Sequence, residues 1–316
     1  MLYPMGWRYL ASTSMKYIVT GGAGFIGSHL VERLVQDNHR VQVIDNLSSG
    51  NIKNLAKVIQ EVDFVSSLDD LDPGFDGVYH LGFPSSSPMY RQNPRLVADV
   101  ARDMIRLLEY SAKEDTPMVY AATSSIYNGN PTPWAEDLPI HVTDYYTEAR
   151  YAAERLARLY HNLKLVNSVG LRLFSVYGEN ELYKGRYANL VSQFIWAMTR
   201  GEKPEIYFDG KQRRDFTYQS DVVDCFIKAM KIAHDIPICE AVNVGTGRNY
   251  SLNELVAIIN EDLGKDIEPV YRDVDIPNYV QDTLADTTKM RKMLGSHKVE
   301  LREGINRIIS KLSNIT

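Results

Sequence analysis

Thr20-Gly21-Gly22-Ala23-Gly24-Phe25-Ile26-Gly27 is the stretch on which the fold turns. Before it, Lys16-Tyr17-Ile18-Val19-Thr20 is short, rich in β-branched and aromatic residues, and ends at glycine, which reads as a buried strand. After it, Ile26, Leu30 and Leu34 recur at helical spacing and predict a helix from Phe25 to Gln36. A strand, a glycine turn and a helix in this order form a cradle for phosphate. The first glycine permits the tight turn, the second lets backbone approach a pyrophosphate, and the third lets helix pack closely on strand, with the helix N-terminus facing the anion. Gly22, Gly24 and Gly27 fit these roles, and Gly21 provides an overlapping first position. A plain tight turn could use the same glycines; the flanking strand and helix are what a dinucleotide site requires.

Working outward, Val41-Gln42-Val43-Ile44 reads as a second strand, and Asp45 follows it eighteen residues past Gly27. A carboxylate there accepts hydrogen bonds from an adenosine ribose and repels a 2′-phosphate, which favours NAD over NADP. Arg40 lies before that strand rather than after it. Strand patterns at Val78 to Leu81, Met118 to Ala121 and Ser168 to Leu173 alternate with helix patterns at Leu96 to Ala112 and Tyr146 to His161. This alternation predicts βαβ units and a parallel sheet. After Gly178 the rhythm changes. A helix is expected over Asn189 to Thr199, a short strand over Pro204 to Phe208, a polar turn over Gly210 to Arg214 and another short strand at Asn243-Val244-Gly245. Ser251 is a good N-cap, and an amphipathic helix is expected over Leu301 to Leu312.

The 316 residues suffice for a large α/β domain or two lobes, and 44% hydrophobic with 24% charged residues is an ordinary globular balance. Lysine plus arginine number 35 and aspartate plus glutamate 40, so the net charge of −5 offers no general attraction to nucleic acid or anionic membrane. Two cysteines, Cys225 and Cys239, exclude a disulfide framework and a cysteine metal site, and such thiol-poor chains are usual in the cytoplasm. No transmembrane stretch is expected, and no metal. Residues 1–14 lack the apolar core of a signal peptide and read as a leader ahead of Met15, either an upstream start or a loosely ordered arm.

Tyr146 and Arg150 stand four apart at the start of a helix and so share a face. Thr123-Ser124-Ser125 follows a parallel strand, at the end where open α/β sheets build their sites. A phenol, a hydroxyl and a permanent cation can together move a proton, because a neighbouring cation favours phenolate and the hydroxyl orients or shares the substrate proton. Spacing alone describes equally a core-facing helix tyrosine, one of twenty in the chain.

From about Met15 to the C-terminus the chain resembles the extended short-chain dehydrogenases/reductases, in the nucleotide-sugar epimerase and dehydratase group, and most closely their UDP-glucose (UDP-galactose) 4-epimerase-like members. Thr20 through His29 matches the cofactor loop, Val43 through Gly50 the second-strand acidic segment, and Tyr79-His80-Leu81-Gly82 the strand near the nicotinamide ribose. Thr123-Ser124-Ser125-Ile126-Tyr127 matches the segment with the catalytic Ser or Thr, which by position is Thr123, and Tyr146 to Arg150 occupies the family's Tyr-x-x-x-Lys. Glu154, Arg172 through Gly178, Arg213-Arg214-Asp215-Phe216, Asn243 through Gly247 and Ala285 through Lys289 match further signatures in the family's order.

The resemblance implies a Rossmann-type doubly wound parallel sheet over 15–178 and 217–248, with a smaller, discontinuous substrate-binding lobe over 179–216 and 249–316. It implies NAD that stays bound and is recycled, a nucleotide-sugar substrate, UDP-linked first of all, and a homodimer through the helices near 96–112 and 146–161, whose apolar faces could equally pack within the chain. Catalysis falls to Tyr146, Thr123 and Arg150. The cofactor falls to Gly21, Gly24, Phe25, Ile26, Gly27, Asp45, Asn46, Leu47, Ser49, Gly50, Leu68, Leu81, Gly82, Phe83, Ala121 and Phe174 together with Tyr146 and Arg150. The substrate falls to Ser85, Thr123, Ser124, Ser175, Asn189, Leu190, Tyr207, Arg214, Asn278, Tyr279 and Thr283.

Several positions depart from the family pattern. Arg150 replaces lysine: the charge survives, but a planar fork replaces a compact ammonium. Gly82 and Phe83 stand where alanines are more usual. Ser124 and Ser125 follow Thr123, where dehydratases and decarboxylases commonly carry an acid and some reductases and synthases a cysteine. Ser175 replaces an asparagine that contacts diphosphate, and Ile276-Pro277-Asn278-Tyr279 replaces a late Arg-x-Gly-Asp contact to ribose. Arg214 matches the diphosphate arginine or is a surface ion pair; Tyr207 flanks the base or is a core aromatic. Thr283 falls where galactose 4-epimerases can carry a bulky gate against N-acetyl groups, so its small size implies a roomier sugar pocket. The expectation is a nucleotide-sugar 4-epimerase working through a 4-keto intermediate. The alternatives are a dehydratase or 4-keto-sugar reductase on the same scaffold, or a weakly catalytic NAD-binding protein in which Arg150 marks decay.

Overall fold

A computed structural model describes residues 14–273 and 279–313. The leader ahead of Ser14 and the substrate-contact candidate Asn278 lie outside the described residues. The first half runs β1 (Lys16–Thr20), α1 (Phe25–Gln36), β2 (Arg40–Ile44), β3 (Asp63–Val65), β4 (Gly77–His80), α2 (Ser87–Gln92), α3 (Leu96–Glu114), β5 (Met118–Thr123), α4 (Tyr145–Lys164) and β6 (Ser168–Leu173). The second half runs β7 (Val176–Tyr177), α5 (Leu190–Thr199), β8 (Glu205–Tyr207), β9 (Arg213–Arg214), β10 (Thr217–Tyr218), α6 (Gln219–Asp235), β11 (Cys239–Val244), β12 (Tyr250–Ser251), α7 (Leu252–Leu263), β13 (Val270–Arg272), α8 (Thr288–Met293) and α9 (Leu301–Ser313).

Seven strands form one parallel sheet in the order β11-β6-β5-β4-β1-β2-β3. The chain runs outward from β1 through β2 to β3, then returns to lay β4 on the other side of β1. That reversal opens a crevice beyond the carboxyl ends of β1 and β4, where doubly wound sheets bind ligands. Thr20 closes β1 and His80 closes β4, and the Thr20 hydroxyl lies 2.6 Å from His80 Nδ1, so the two strand ends are tied at that crevice.

One hydrophobic core covers both faces of the sheet, from Ile18, Val19 and Leu30 through Leu107 and Val169 to Phe226 and Val242. A second core, with Val191, Phe194, Ile195, Leu255, Ile259 and Ile305, lies beneath α5, α7 and α9. Two boundary details differ from the sequence division. Met290 and Leu294 of the tail join the first core, and Tyr177 and Tyr218 join the second.

Caps explain where the main helices begin. Asp144 and Thr147 form a reciprocal capping box at α4, as Ser251 and Glu254 do at α7. The expected short strand at Asn243 is the end of β11, an edge strand of the main sheet, because Cys239 through Val244 pair in register with β6. The expected turn at Gly210 to Arg214 ends in β9, since Arg213 and Arg214 pair antiparallel with β12. Helix α6 has the apolar spacing Val222, Cys225, Phe226, Ala229, Met230 and Ala233, which forms its buried face against the sheet. β3 is too short and too half-buried to carry a periodic signal.

Candidate active site

The glycine turn is locked by backbone. Gly21 adopts a φ of +68°, and its carbonyl accepts from Gly24 N–H at 3.0 Å. A Cβ on Gly27 would sit 2.0 Å from that carbonyl oxygen, so only glycine allows α1 to approach the turn this closely. Among the described residues no side chain caps the N-terminus of α1, which leaves its N–H groups facing the crevice. Asp45 is buried at the end of β2, accepting from Ala23 N–H at 2.9 Å and Leu47 N–H at 2.8 Å. Burial pushes its carboxyl up from the ordinary range, and the two N–H groups pull against that rise. Asn46, Ser49 and Leu68 line this end of the cleft with Gly24, Phe25, Ile26 and Gly27. Leu47 is exposed and lies outside the lining, while Gly50 packs behind it against Ala23 and the Asp45 carboxylate. A backbone cradle that excludes a Cβ, an uncapped helix N-terminus and one carboxylate fit the pyrophosphate and ribose of NAD.

Further along the cleft, the Tyr146 hydroxyl donates to Thr123 Oγ1 at 3.1 Å. Tyr146 lies in the first turn of α4 and Thr123 ends β5, so the pair spans the mouth of the sheet. Thr123 Oγ1 also accepts from Ser125 N–H at 3.2 Å. Arg150, one turn along α4, is only 7% exposed and donates from Nη1 to Ala121 O at 3.1 Å. Its guanidinium carbon stands 4.2 Å from the Phe83 ring centre and 5.5 Å from that of Tyr146. Tyr90 packs edge-on against Tyr146 at 5.6 Å. His80 is fully enclosed: burial first, and the Arg150 charge second, push it down to about 3, so it is neutral. Leu81, Gly82, Phe83 and Ala121 line the cleft here.

The far end takes the substrate candidates. Ser85, Ser124, Ser175, Asn189, Leu190, Tyr207, Arg214, Tyr279 and Thr283 all line the same cleft, about 1160 Å³ in volume. That is more space than one small ligand fills, and it accommodates a dinucleotide and a second nucleotide together. The Ser124 hydroxyl donates to Leu173 O at 2.9 Å, and Ser175 has a φ of +28°. Asn189 caps α5, with Oδ1 on Val191 N–H at 3.0 Å and Nδ2 donating to Val176 O at 3.1 Å. Among the described residues Arg214 makes no ion pair; it donates to Val280 O at 2.6 Å and Gln281 O at 3.0 Å, 5.7 Å from the Tyr279 ring centre. Burial draws the Arg214 guanidinium down from its ordinary value. The ion pair belongs to its neighbour Arg213, 3.0 Å from Glu254. Tyr207 is 43% exposed and faces the cleft rather than the core. The Phe174 side chain does not reach the cleft; it is fully buried 6.0 Å from Trp134.

Lys184 is a lining residue without a sequence signal, since it lies in an irregular segment with no periodicity. Its ammonium is 3.2 Å from the buried Glu181 and 5.2 Å from the Phe25 ring centre, which places a second cation near the glycine turn. Arg102 and Arg106 also border the cleft, each matched by carboxylates of Asp69, Asp99 or Asp103. Among the described residues no three acidic, histidine or cysteine side chains group as a metal site, and no helix is long and apolar enough to cross a membrane.

Residues 17–245 match the NAD dependent epimerase/dehydratase family. A putative UDP-glucose 4-epimerase of Methanocaldococcus jannaschii is 32% identical over 306 residues, covering 94% of this chain and 98% of that protein. UDP-glucuronic acid decarboxylase 1 of Arabidopsis thaliana is 31% identical, covering 95% of this chain and 70% of its own length. The crystal structure of UDP-glucose 4-epimerase from Thermotoga maritima with UDP-glucose superimposes with a TM-score of 0.87 at 31% identity, over 95% of this chain and 99% of that one. The chain thus belongs to the NAD dependent epimerase/dehydratase family, and NAD is its cofactor.

Proposed function

We propose that the protein is a 4-epimerase of a UDP-linked hexose. The observation that carries this reading is the Tyr146–Thr123 hydrogen bond of 3.1 Å, with serines rather than a carboxylate following Thr123. Tyr146 acts as the general base that takes the proton of the sugar C4 hydroxyl, and Thr123 Oγ1 orients that hydroxyl. NAD, when bound, supplies the acceptor and later the donor of the C4 hydride. Tyr146 then returns the proton to the alkoxide of the inverted alcohol, so no atom is gained or lost. Arg150 keeps a positive charge beside the phenol, and Arg214 meets the diphosphate. Inversion needs the 4-keto sugar to turn over between the two transfers, within a cleft of about 1160 Å³.

The Arabidopsis relative named above favours a second reading, decarboxylation of a UDP-uronic acid. The missing acid after Thr123 speaks against it. Proton NMR of UDP-, dTDP- and GDP-hexoses, with and without N-acetyl groups and with a uronic acid, separates the two. The expected result is inversion at C4 with no added cofactor. Loss of carbon dioxide or of water, or no change in any sugar while NAD is retained, overturns the epimerase reading. We also propose a homodimer through α3 and α4, whose outer faces expose Ile105, Leu159 and Leu163; a monomeric mass by light scattering refutes it.

A further inference from the structure

Arg150 is a buried cation with few partners. A guanidinium carries five donors, yet among the described residues only Nη1 is bonded, to Ala121 O at 3.1 Å, and the buried Nε has no partner there. No carboxylate pairs with it among the described residues, although it is 7% exposed. What lies against the charge is a ring face: Phe83, 4.2 Å from the guanidinium carbon. A flat, weakly hydrated guanidinium stacks on such a face in a way that an ammonium does not.

Phe83 is itself fixed. It is buried, and the His80 ring packs 4.0 Å from its centre. His80 Nδ1 in turn lies 2.6 Å from Thr20 Oγ1, the hydroxyl that also accepts from Gly82 N–H at 3.1 Å. A Cβ on Gly82 would come within 3.0 Å of that hydroxyl, so the glycine lets the segment after β4 lie flat on the cofactor turn. A continuous stack therefore runs from Thr20 through His80 and Phe83 to Arg150. Two departures from the family pattern, Phe83 and Arg150, stand 67 positions apart along the chain and meet at one contact.

We propose that Phe83 is the positioning residue of Arg150, and that the two act as one unit in the place of a lone lysine. The proposal rests on the reading of Arg150 as the cation of the proton-transfer group. On this account Arg150 is an adapted residue and not a mark of decay. The ring fixes the plane of the guanidinium, which sets how its free N–H groups meet the cofactor ribose and how near its charge stands to Tyr146.

The test is a cycle of wild type, Phe83→Ala, Arg150→Lys and the double variant, with Phe83→Leu and Phe83→Tyr as controls for volume and ring face. Calorimetry gives the NAD dissociation constant of each, and thermal melting checks that each folds. Each single variant is expected to weaken NAD by about tenfold, the scale of a desolvated cation–π contact. The double variant is expected to be no weaker than Phe83→Ala alone, since lysine needs no ring to stack on. Phe83→Tyr, which keeps the face, should lose less than Phe83→Leu, which keeps the volume. Where a sugar is turned over, the acid limb of the rate profile should move in Phe83→Ala and return in the double variant. Multiplying losses in the cycle, or a Phe83→Leu protein that binds NAD like wild type, overturns the proposal. Failure of the epimerase reading is distinct: it shows as coupled NAD affinities with no sugar turned over. If Phe83→Ala does not fold, the Leu and Tyr pair still decides.

Discussion

An alanine at position 27 would carry its methyl 2.0 Å from the Gly21 carbonyl oxygen, 2.8 Å from the Gly21 carbonyl carbon and 2.9 Å from the Gly22 Cα. All three are backbone atoms, so no side-chain rotation relieves the contact. Restoring an ordinary separation requires the start of α1 to withdraw from the turn by about 1.4 Å. N–H groups that meet a pyrophosphate near 2.8 Å would then stand about 4.2 Å away, beyond hydrogen-bond range. A hydrogen bond to a charged group is worth about 1.5–3 kcal/mol, so losing two costs about 3–6 kcal/mol, or roughly a factor of 10² to 10⁴ in the NAD dissociation constant. The assay is NAD content of purified Gly27→Ala by absorbance after denaturation, followed by calorimetric titration, with circular dichroism melting as the control for folding. Gly24→Ala is the graded comparison. Its Cβ meets the Gly21 carbonyl oxygen at 3.0 Å, a contact that a few tenths of an ångström relieve, so it should lose less. A Gly27→Ala protein with wild-type NAD affinity and wild-type melting would refute the cradle argument.

Tyr146→Phe removes the donor to Thr123 Oγ1 and should lower turnover by about 10² to 10⁴; a retained rate removes the phenol from proton transfer. His80, at about 3 when folded against an ordinary 6.5, makes the unfolded chain the better proton binder between those values. Its contribution to stability is therefore intact above pH 6.5 and falls by up to about 1.4 kcal/mol per pH unit as the pH drops through that window. Urea midpoints of wild type and His80→Asn should diverge on acidification, and parallel acid slopes would contradict the reading. Glu154 holds Arg172 through two bonds of 3.0 and 2.7 Å, with side chains 9% and 5% exposed. Glu154→Gln leaves a buried guanidinium short of its counter-charge and should cost about 3–5 kcal/mol in denaturant unfolding; an unshifted midpoint would show that the pair is dispensable.

What was legible in the chain was local and periodic. The strand, glycine turn and helix from Lys16 to Gln36 are contiguous, so residue spacing and backbone sterics determine the cradle without reference to the rest of the molecule. Asp45 follows for the same reason, because it sits at the end of the next strand. The Tyr146 and Arg150 face is helical arithmetic. The cap at Ser251 and the helix from Leu301 were equally plain, since caps and amphipathic spacing are properties of consecutive residues.

Only the tertiary structure decided which side chains touch. Tyr146 reaches Thr123 because α4 is laid against the end of β5. Arg214 is turned to the carbonyls of Val280 and Gln281, while the surface ion pair goes to Arg213, a choice that strand pairing makes and charge pattern cannot. Phe174 is drawn into the core beside Trp134, although its neighbours Leu173 and Ser175 line the cleft. Lys184 enters the cleft from a segment without periodicity. The contact of Phe83 with Arg150 joins two residues that each look like an isolated departure. The sequence by itself determined the cradle, the carboxylate and the helix face, because bond geometry propagates over a few residues. The partners of each buried charge were left to the fold, because burial and desolvation depend on atoms that the chain brings together only when the sheet closes.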